Sequence, residues 1–257
     1  MAHALGCSRL EMLMRQDELA VPDDFAALVE RRAASEPVAY IRGCQEFWDL
    51  QLAVTPDVLI PRSDSETLIE MAVAAFAGRA APETILDLGT GSGALLLTAL
   101  SIFPGAKGVG IDASAAALTV AAGNAERLGF GSRAKMLHLS WSDDGWQAGL
   151  DGRYDLILCN PPYVESDAAL EATVALHEPH SALFAGADGM DDYNILIPAV
   201  PDLLAASGIA VFEIGSSQTD AVGNLARKAG LSTEMRRDLA GNPRAMRFSL
   251  GITGSEG

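Results

Sequence analysis

The first 36 residues carry the spacing of apolar positions that is typical of helices. Apolar side chains recur at this spacing at Leu10, Leu13, Phe25 and Leu28. Pro22 separates the two stretches, and proline is disfavoured in the interior of a helix. We therefore predict a small helical N-terminal lobe, made of two short helices, over residues 1–36.

The pattern changes in the next 26 residues, which run from 37 to 62. Aromatic and aliphatic side chains now alternate with polar ones, as in strands with one buried face, at Phe47, Leu50, Leu52 and Val54. The stretch ends in Ile60-Pro61-Arg62. We predict a β-hairpin connector over residues 37–62.

From residue 63 onward, strand-like and helix-like segments alternate. Short apolar runs predict strands at Thr84–Leu88, Lys107–Ile111, Lys135–Leu139, Tyr154–Cys159, Ile209–Ile214 and Ala245–Leu250. Amphipathic segments predict helices at Ala94–Phe103, Ser114–Leu128, Tyr193–Ala206 and Gln218–Ala229. Such alternation is typical of a doubly wound parallel sheet. We predict an α/β domain of this kind over residues 63–251, with helices on both faces, and a flexible tail at residues 252–257.

Composition and charge narrow the class of protein and its partners. Hydrophobic residues make up 49% of the chain, yet no apolar run approaches the roughly 20 residues that span a bilayer, and the N-terminus lacks a secretory signal pattern. We therefore predict a cytoplasmic protein with no membrane partner. The net charge of −16 repels phosphate backbones, so no direct binding of nucleic acid is expected. The cysteines and histidines lack metal-ligand spacing, so no metal is predicted.

A glycine-rich loop follows the first strand predicted in the α/β domain. Residues Asp87–Gly93 join this strand to a helix, and glycines there permit a tight turn and a close approach of the backbone to a ligand. The spacing also satisfies a dinucleotide-binding fingerprint, and Asp112 at the end of the next strand is placed to bind a ribose hydroxyl in either case. The loop therefore predicts a nucleotide-like ligand, and Gly93 favours one that carries an amino-acid moiety.

The strand Tyr154–Cys159 ends in Asn160-Pro161-Pro162-Tyr163. The two prolines lack backbone donors, so this loop presents carbonyl acceptors, the Asn160 side-chain oxygen and an aromatic face from Tyr163. A planar NH₂ group fits these acceptors, and acceptors at both N–H groups favour the charge that develops when such a poor nucleophile attacks. We predict that this loop binds a planar amide or amino nitrogen and methylates it, with no obligatory general base.

The chain resembles the peptide chain release factor glutamine N5-methyltransferases over nearly its whole length. The stretches that carry the resemblance are Glu36–Ile41 with Glu46-Phe47-Trp48, Val58–Arg62, Asp87–Gly93, Asn160–Tyr163 and Glu178-Pro179 with Ala182-Leu183 and Asp188-Gly189. The glycine loop and Asn-Pro-Pro-Tyr are shared with nucleic-acid amino-methyltransferases. The Pro-Val-Ala-Tyr and Ile-Pro-Arg stretches are specific to this family, so the connector indicates the substrate class.

The resemblance implies a Rossmann-like, seven-stranded methyltransferase sheet and S-adenosyl-L-methionine as cofactor. It implies cofactor contacts at Gly89, Thr90, Gly91, Ser92, Gly93, Asp112, Trp141 and Asn160. It implies substrate contacts at Asn160, Pro161, Pro162 and Tyr163, with catalysis assigned to Asn160, Pro161 and Tyr163. The target it implies is the glutamine of the Gly-Gly-Gln loop of release factors. The alternatives are an N-methyltransferase for exocyclic amino groups of adenine or guanine in RNA or DNA, and a cofactor-binding module without activity.

The chain departs from the family pattern at two places. Where the family reads Arg-Pro-[Asp/Glu]-Thr-Glu, this chain has Arg62-Ser63-Asp64-Ser65-Glu66. Ser63 and Glu66 have the spacing of a capping box, which is a sufficient reason for both, so Glu66 is given no catalytic role. The N-terminal lobe is short by about 40 residues, since Leu5–Arg9 resembles a point inside that lobe, and we expect a truncated lobe.

Overall fold

A computed structural model describes residues 1–251 of the chain, so the predicted tail at 252–257 lies outside the described residues. Near the N-terminus, helices α1 (Arg9–Met14) and α2 (Phe25–Ala33) lie where two short helices were predicted. Ser8 caps α1, because its side chain accepts a hydrogen bond from the Glu11 amide at 3.1 Å. Neither helix has a buried residue.

The connector contains the predicted hairpin, formed by β1 (Cys44–Phe47) and β2 (Leu50–Ala53). A helix that we did not predict, α3 (Val38–Arg42), comes before it. Pro37 precedes the first turn of α3, and Gly43 ends the helix in the left-handed conformation at φ 69°. The Tyr40 hydroxyl donates to the Val58 carbonyl at 2.6 Å and ties α3 to the rest of the connector.

Most of the remaining elements were predicted, and their strands build one sheet. The strands are β3 (Thr84–Leu88), β4 (Lys107–Asp112), β5 (Ala134–His138), β6 (Tyr154–Cys159), β7 (Leu204–Glu213), β8 (Leu231–Arg237) and β9 (Pro243–Leu250). The helices are α4 (Glu66–Phe76), α5 (Ala94–Ile102), α6 (Ala115–Arg127), α7 (Ala172–His177), α8 (Asp191–Leu203) and α9 (Thr219–Lys228). The strand order is β5-β4-β3-β6-β7-β9-β8, so the sheet has the seven strands that the resemblance implied.

The sheet is parallel, as predicted, except at one edge. Strands β3 to β7 pair in parallel, but β9 runs antiparallel to both β7 and β8. The link between β8 and β9 is too short for the crossover that parallel strands require. Strand β8 was missed altogether, because it alternates between buried and exposed positions at the edge and carries no apolar run.

The predicted capping box at Ser63 and Glu66 is also wrong. A 3₁₀ turn over Ser63–Ser65 leads into α4, and no side chain caps that helix. The Glu66 carboxylate instead accepts the backbone N–H of Trp48 at 2.8 Å. Trp48 sits in the turn of the hairpin at φ 55°, a conformation that is uncommon for a bulky residue. Glu66 therefore stabilises the hairpin turn, which a local sequence pattern does not reveal.

Apolar side chains pack against both faces of the sheet. Side chains from α4 and α5 and from the hairpin cover one face, among them Phe47, Leu52, Leu68 and Leu96. Side chains from α8 and α9 cover the other face, among them Tyr193, Leu196, Val200 and Val222. Fully burying one such side chain contributes roughly 1.5–3 kcal/mol. The two layers hold the carboxyl ends of β3, β4, β6 and β7 at one edge, where ligands bind in sheets of this kind.

Candidate active site

The glycine loop turns sharply between β3 and α5. The amides of Gly89 and Thr90 both donate to the Ile111 carbonyl, at 3.0 and 2.9 Å, which ties the loop to the end of β4. Gly89 has φ 73°, and a side chain there would meet the Trp141 ring at 3.0 Å. Gly93 has φ 85°, and a side chain there would meet Leu97 at 3.0 Å. The positive φ thus favours glycine at both positions, and a side chain at either would require its neighbour to shift.

Asp112, the last residue of β4, holds the middle of this loop. One of its carboxylate oxygens accepts the Gly91 amide at 2.9 Å, and the other accepts the Ser114 amide at 2.9 Å. Each oxygen retains acceptor capacity, since a carboxylate oxygen has two lone pairs. Asp112 is therefore fixed at the strand end in a position from which it can still accept from ligand hydroxyls.

A cavity of about 500 Å³ opens above the glycine loop. Residues that we predicted to touch the cofactor or the substrate line it, namely Gly89, Thr90, Gly91, Ser92, Asp112, Trp141, Asn160 and Pro162. Gly93 and Pro161 do not line it; Gly93 is the cap residue that precedes α5, and Pro161 is buried. A further wall that we did not predict comes from the connector, with Phe47, Pro56, Asp57, Val58, Leu59 and Pro61.

Trp141 forms one side of this cavity. Its ring lies against Gly89, and its indole N–H donates to the Asp192 carboxylate at 2.6 Å. Burial raises the pKa of Asp192, and the hydrogen bond from Trp141 opposes that change. The nearby Trp146, in contrast, is buried in the core at 6% exposure. The structure thus gives only one of the two tryptophans a place at the cavity.

Asp87 lies buried below the glycine loop, at 1% exposure. One carboxylate oxygen accepts from the Thr90 hydroxyl at 2.7 Å, whereas the other has no hydrogen-bond partner. Burial raises the pKa of Asp87 to about 7. A buried, half-partnered carboxylate favours a ligand that brings positive charge into the cavity. This observation, together with the glycine cradle, fits a cationic nucleoside such as the predicted cofactor.

The Asn160–Tyr163 loop lines the cavity together with the connector. Asn160 lines the large cavity and also a smaller one of about 60 Å³. The other residues of the smaller cavity are Leu59, Arg62, Tyr163, Val164, Ala182, Leu183 and Glu213. Asn160 therefore lies where the two cavities meet. A residue there can contact a methyl donor in one cavity and a methyl acceptor in the other.

Two residues at this junction were missed by sequence reasoning. The Ser65 hydroxyl accepts from the Asn160 side-chain NH₂ at 3.3 Å and donates to the Glu213 carboxylate at 2.5 Å. The Tyr163 hydroxyl also donates to Glu213, at 3.1 Å. Burial raises the pKa of Glu213, while the bond from Ser65 opposes that change. The sequence signal that could have identified Glu213 is an acidic residue at the end of the buried strand β7.

Glu178 holds the connector against the site. This carboxylate is 4% exposed, accepts the Ile60 amide at 3.0 Å and pairs with the Arg62 guanidinium. Two family stretches that are far apart in sequence therefore meet here. His177 and His180, on either side of Glu178-Pro179, lie near backbone carbonyls. The Nε2 atom of His177 is 3.2 Å from Ala34 O, and that of His180 is 2.9 Å from Ala175 O.

Residues 1–251 contain no candidate metal centre and no candidate membrane span. No group of three or more histidine, cysteine, aspartate or glutamate side chains there is placed to hold a metal ion. No helix in the same residues has the length and apolar character needed to cross a membrane. The two cavities at the sheet edge are the candidate functional site.

The seven-stranded sheet, the glycine cradle and the ligand cavity define the class of S-adenosylmethionine-dependent methyltransferases. The family model described as "Methyltransferase small domain" matches residues 65–183, and the "PrmC N-terminal domain" model matches residues 1–43. The fold is similar to a methyltransferase from Pyrococcus furiosus, with a TM-score of 0.57 at 17% identity, covering 89% of this chain and 99% of that one.

Sequence relatives give the family within this class. The chain is 42% identical over 250 residues to a release factor glutamine methyltransferase of Rhodospirillum rubrum, covering 95% of this chain and 75% of the relative. It is 41% identical over 257 residues to that of Cereibacter sphaeroides, covering 97% and 88%. The chain belongs to the release factor glutamine methyltransferase family.

Proposed function

We propose that this protein transfers a methyl group from S-adenosyl-L-methionine to the side-chain amide nitrogen (N5) of the glutamine in the Gly-Gly-Gln motif of peptide chain release factors. The observation that carries the proposal is the position of Asn160 in the walls of both cavities. The larger cavity suits the cofactor and the smaller one suits the end of an amide side chain. Membership of the family supports the choice of a protein glutamine.

The large cavity has the groups that this cofactor requires. Asp112 is placed to accept from ribose hydroxyls, the Trp141 ring offers a face for the base, and the glycine loop brings backbone close to the amino-acid part. When bound, the cofactor supplies an electrophilic methyl group on a sulfonium. Phe47 and Val58 give the connector side of the cavity an apolar wall, which would limit the access of water to the bound cofactor.

The Asn160 loop supplies what a weak nitrogen nucleophile needs. An amide nitrogen attacks poorly because its lone pair is delocalised. Acceptors placed at both of its N–H groups favour the charge that develops during attack. Asn160 Oδ1 is one such acceptor, and the backbone carbonyls of the Asn160–Tyr163 loop can supply another. The fixed loop also holds the nitrogen in place, which lowers the entropic part of the barrier.

The acidic surface favours a protein over a nucleic acid as the polymer that is methylated. Acidic residues outnumber basic ones by 34 to 18, whereas a nucleic-acid enzyme is expected to present a basic stripe. The rival activity, methylation of exocyclic amino groups in RNA or DNA, would use the same Asn160 loop. The third possibility, a binding module without activity, is disfavoured because Asn160 and the glycine loop are both intact.

The test is a methyl-transfer assay with labelled S-adenosylmethionine. Purified protein is incubated with release factor, with a release factor whose Gly-Gly-Gln glutamine is changed to alanine, and with total RNA and DNA from the same cell. We expect label on the intact release factor alone, and mass spectrometry should place one methyl group on the glutamine side chain. Label on nucleic acid, or on the altered release factor, would contradict the proposal.

A further inference from the structure

Three polar side chains from distant parts of the chain form a chain of hydrogen bonds that begins at Asn160. Asn160 Nδ2 lies 3.3 Å from Ser65 Oγ, and Ser65 Oγ lies 2.5 Å from a Glu213 carboxylate oxygen. Ser65 is 4% exposed and Glu213 is 2% exposed. Both side chains are therefore largely buried, although Ser65 borders the large cavity and Glu213 the smaller one. A buried donor needs an acceptor.

The chemistry of the three groups fixes the direction of the hydrogen bonds. An ionised carboxylate only accepts, so Ser65 must donate its single hydroxyl proton to Glu213. The hydroxyl then has only lone pairs to offer Asn160. Asn160 must therefore turn its NH₂ end towards Ser65, and its carbonyl end, Oδ1, is directed away from Ser65. The charge on Glu213 thereby selects between two amide orientations of nearly equal shape.

Glu213 is itself held in place by several groups. Its second carboxylate oxygen accepts the Tyr163 hydroxyl at 3.1 Å and lies 3.9 Å from the Arg244 guanidinium. Its backbone carbonyl accepts the Tyr193 hydroxyl at 2.8 Å. The carboxylate thus has a partner on each oxygen and a cation nearby. These contacts favour its ionised form, whereas burial opposes it.

We propose that Ser65 and Glu213 are positioning residues that orient the Asn160 amide, so that its oxygen and not its NH₂ faces the target nitrogen. The role in catalysis rests on the proposed function, because only an NH₂-bearing target requires an acceptor at that point. A reversed Asn160 would present a donor to a donor and would lose a hydrogen bond at the reacting nitrogen. The proposal concerns orientation, so it predicts a loss of rate without a loss of ligand binding.

The kinetic test compares Ser65→Ala with Ser65→Thr, which keeps the hydroxyl. We expect Ser65→Ala to lower kcat about tenfold, the order of one net hydrogen bond, with KM for the substrate and Kd for the cofactor changed less than about threefold. Ser65→Thr should recover most of kcat. Ser63→Ala is the matched control, because Ser63 lies in the same turn but is exposed. A melting temperature for each variant checks folding.

A second readout does not depend on activity. In protein labelled with ¹⁵N-asparagine, the Asn160 side-chain NH₂ signal is assigned by its loss in Asn160→Ala. We expect its exchange with solvent to be slow in the wild type, at least about tenfold faster in Ser65→Ala and slow again in Ser65→Thr. An unchanged Asn160 signal in folded Ser65→Ala overturns the positioning role. Wild-type protein that does not methylate release factor overturns the proposed function instead, and the NMR comparison still decides the orientation.

Discussion

Two buried carboxylates, one behind each functional loop, show how differently the two halves of the site are built. Asp87 lies in β3 behind the glycine loop, and Glu213 ends β7 behind the Asn160 loop. They are 1% and 2% exposed, and burial raises the pKa of both. Position and solvent exposure are thus nearly the same for the two acids.

Their hydrogen bonding differs. Glu213 has a partner on each carboxylate oxygen, whereas one oxygen of Asp87 has none. An orphaned buried oxygen is unfavourable until positive charge or a donor arrives. We call the part of the site around the Asn160–Tyr163 loop the transfer half, and the part around the Asp87–Gly93 loop the cofactor half. We infer that the transfer half is organised before any ligand binds, and that the cofactor half is completed by the ligand. Substitutions in the first half should therefore change kcat, and substitutions in the second half should change cofactor affinity.

The largest effect is expected on the transfer half, from Asn160→Ala. This variant should fold and bind cofactor normally yet lose at least about a hundredfold in kcat, the order found when one preorganised polar contact to a developing charge is removed. Initial rates with saturating release factor, together with calorimetric binding of S-adenosylhomocysteine, measure the two quantities. A variant that keeps its rate, or that loses rate and cofactor affinity in parallel, would contradict the division between the halves.

The next effect is expected on the cofactor half, from Gly89→Ala. The added methyl group meets the Trp141 ring at 3.0 Å in a backbone conformation at φ 73° that alanine resists. To relieve this contact, the Trp141 ring or the loop must move from the position that shapes the cavity. If restoring that position on binding costs about 2 kcal/mol, cofactor binding weakens roughly thirtyfold. Isothermal titration with S-adenosylhomocysteine measures this change.

Gly78→Ala is the control for that prediction. Gly78 has φ 75°, but a side chain there meets nothing within 4 Å. It should therefore lower the melting temperature through backbone strain and leave cofactor affinity unchanged. Equal losses of affinity in the two variants would show that the contact with Trp141 has no part in shaping the cavity.

The sequence predicted those parts of the fold and site that depend on local pattern. Buried parallel strands such as Tyr154–Cys159 are continuous apolar runs, and the loops that follow them have distinctive residues. The Ser65–Glu213 contact joins residues 148 positions apart, so no local pattern encodes it. Strand β8 was missed for a related reason, because an edge strand that is only half buried depends on its neighbour for definition.

A third prediction concerns the pH dependence of cofactor binding. Asp87 has a pKa raised to about 7, so it gains negative charge as the pH rises through that value. S-adenosylmethionine carries a net positive charge and is favoured by the ionised form. Its affinity should therefore rise about tenfold between about pH 6 and about pH 8, and binding should release a proton below pH 7. Titrations in buffers of different ionisation enthalpy measure both.

Two comparisons sharpen this test. S-adenosylhomocysteine lacks the sulfonium charge, so its affinity should depend less on pH. Asp87→Asn keeps the shape and removes the titration, and its affinity for S-adenosylmethionine should be nearly flat over the same range. A wild-type affinity that is independent of pH, or one that falls as the pH rises, would show that Asp87 does not respond to the cofactor.

The smallest effect is expected from Trp141→Phe. Phenylalanine keeps an aromatic ring in this wall of the cavity, but the hydrogen bond from the indole to Asp192 is lost. A net hydrogen bond of about 0.7 kcal/mol corresponds to roughly threefold weaker cofactor binding, with kcat at saturating cofactor unchanged. The control is Trp146→Phe, which leaves a gap in the core and should lower the melting temperature without changing affinity, since Trp146 does not line the cavity. If Trp141→Phe lowers kcat and leaves affinity intact, Trp141 belongs to the transfer half, and the boundary between the two halves must be redrawn.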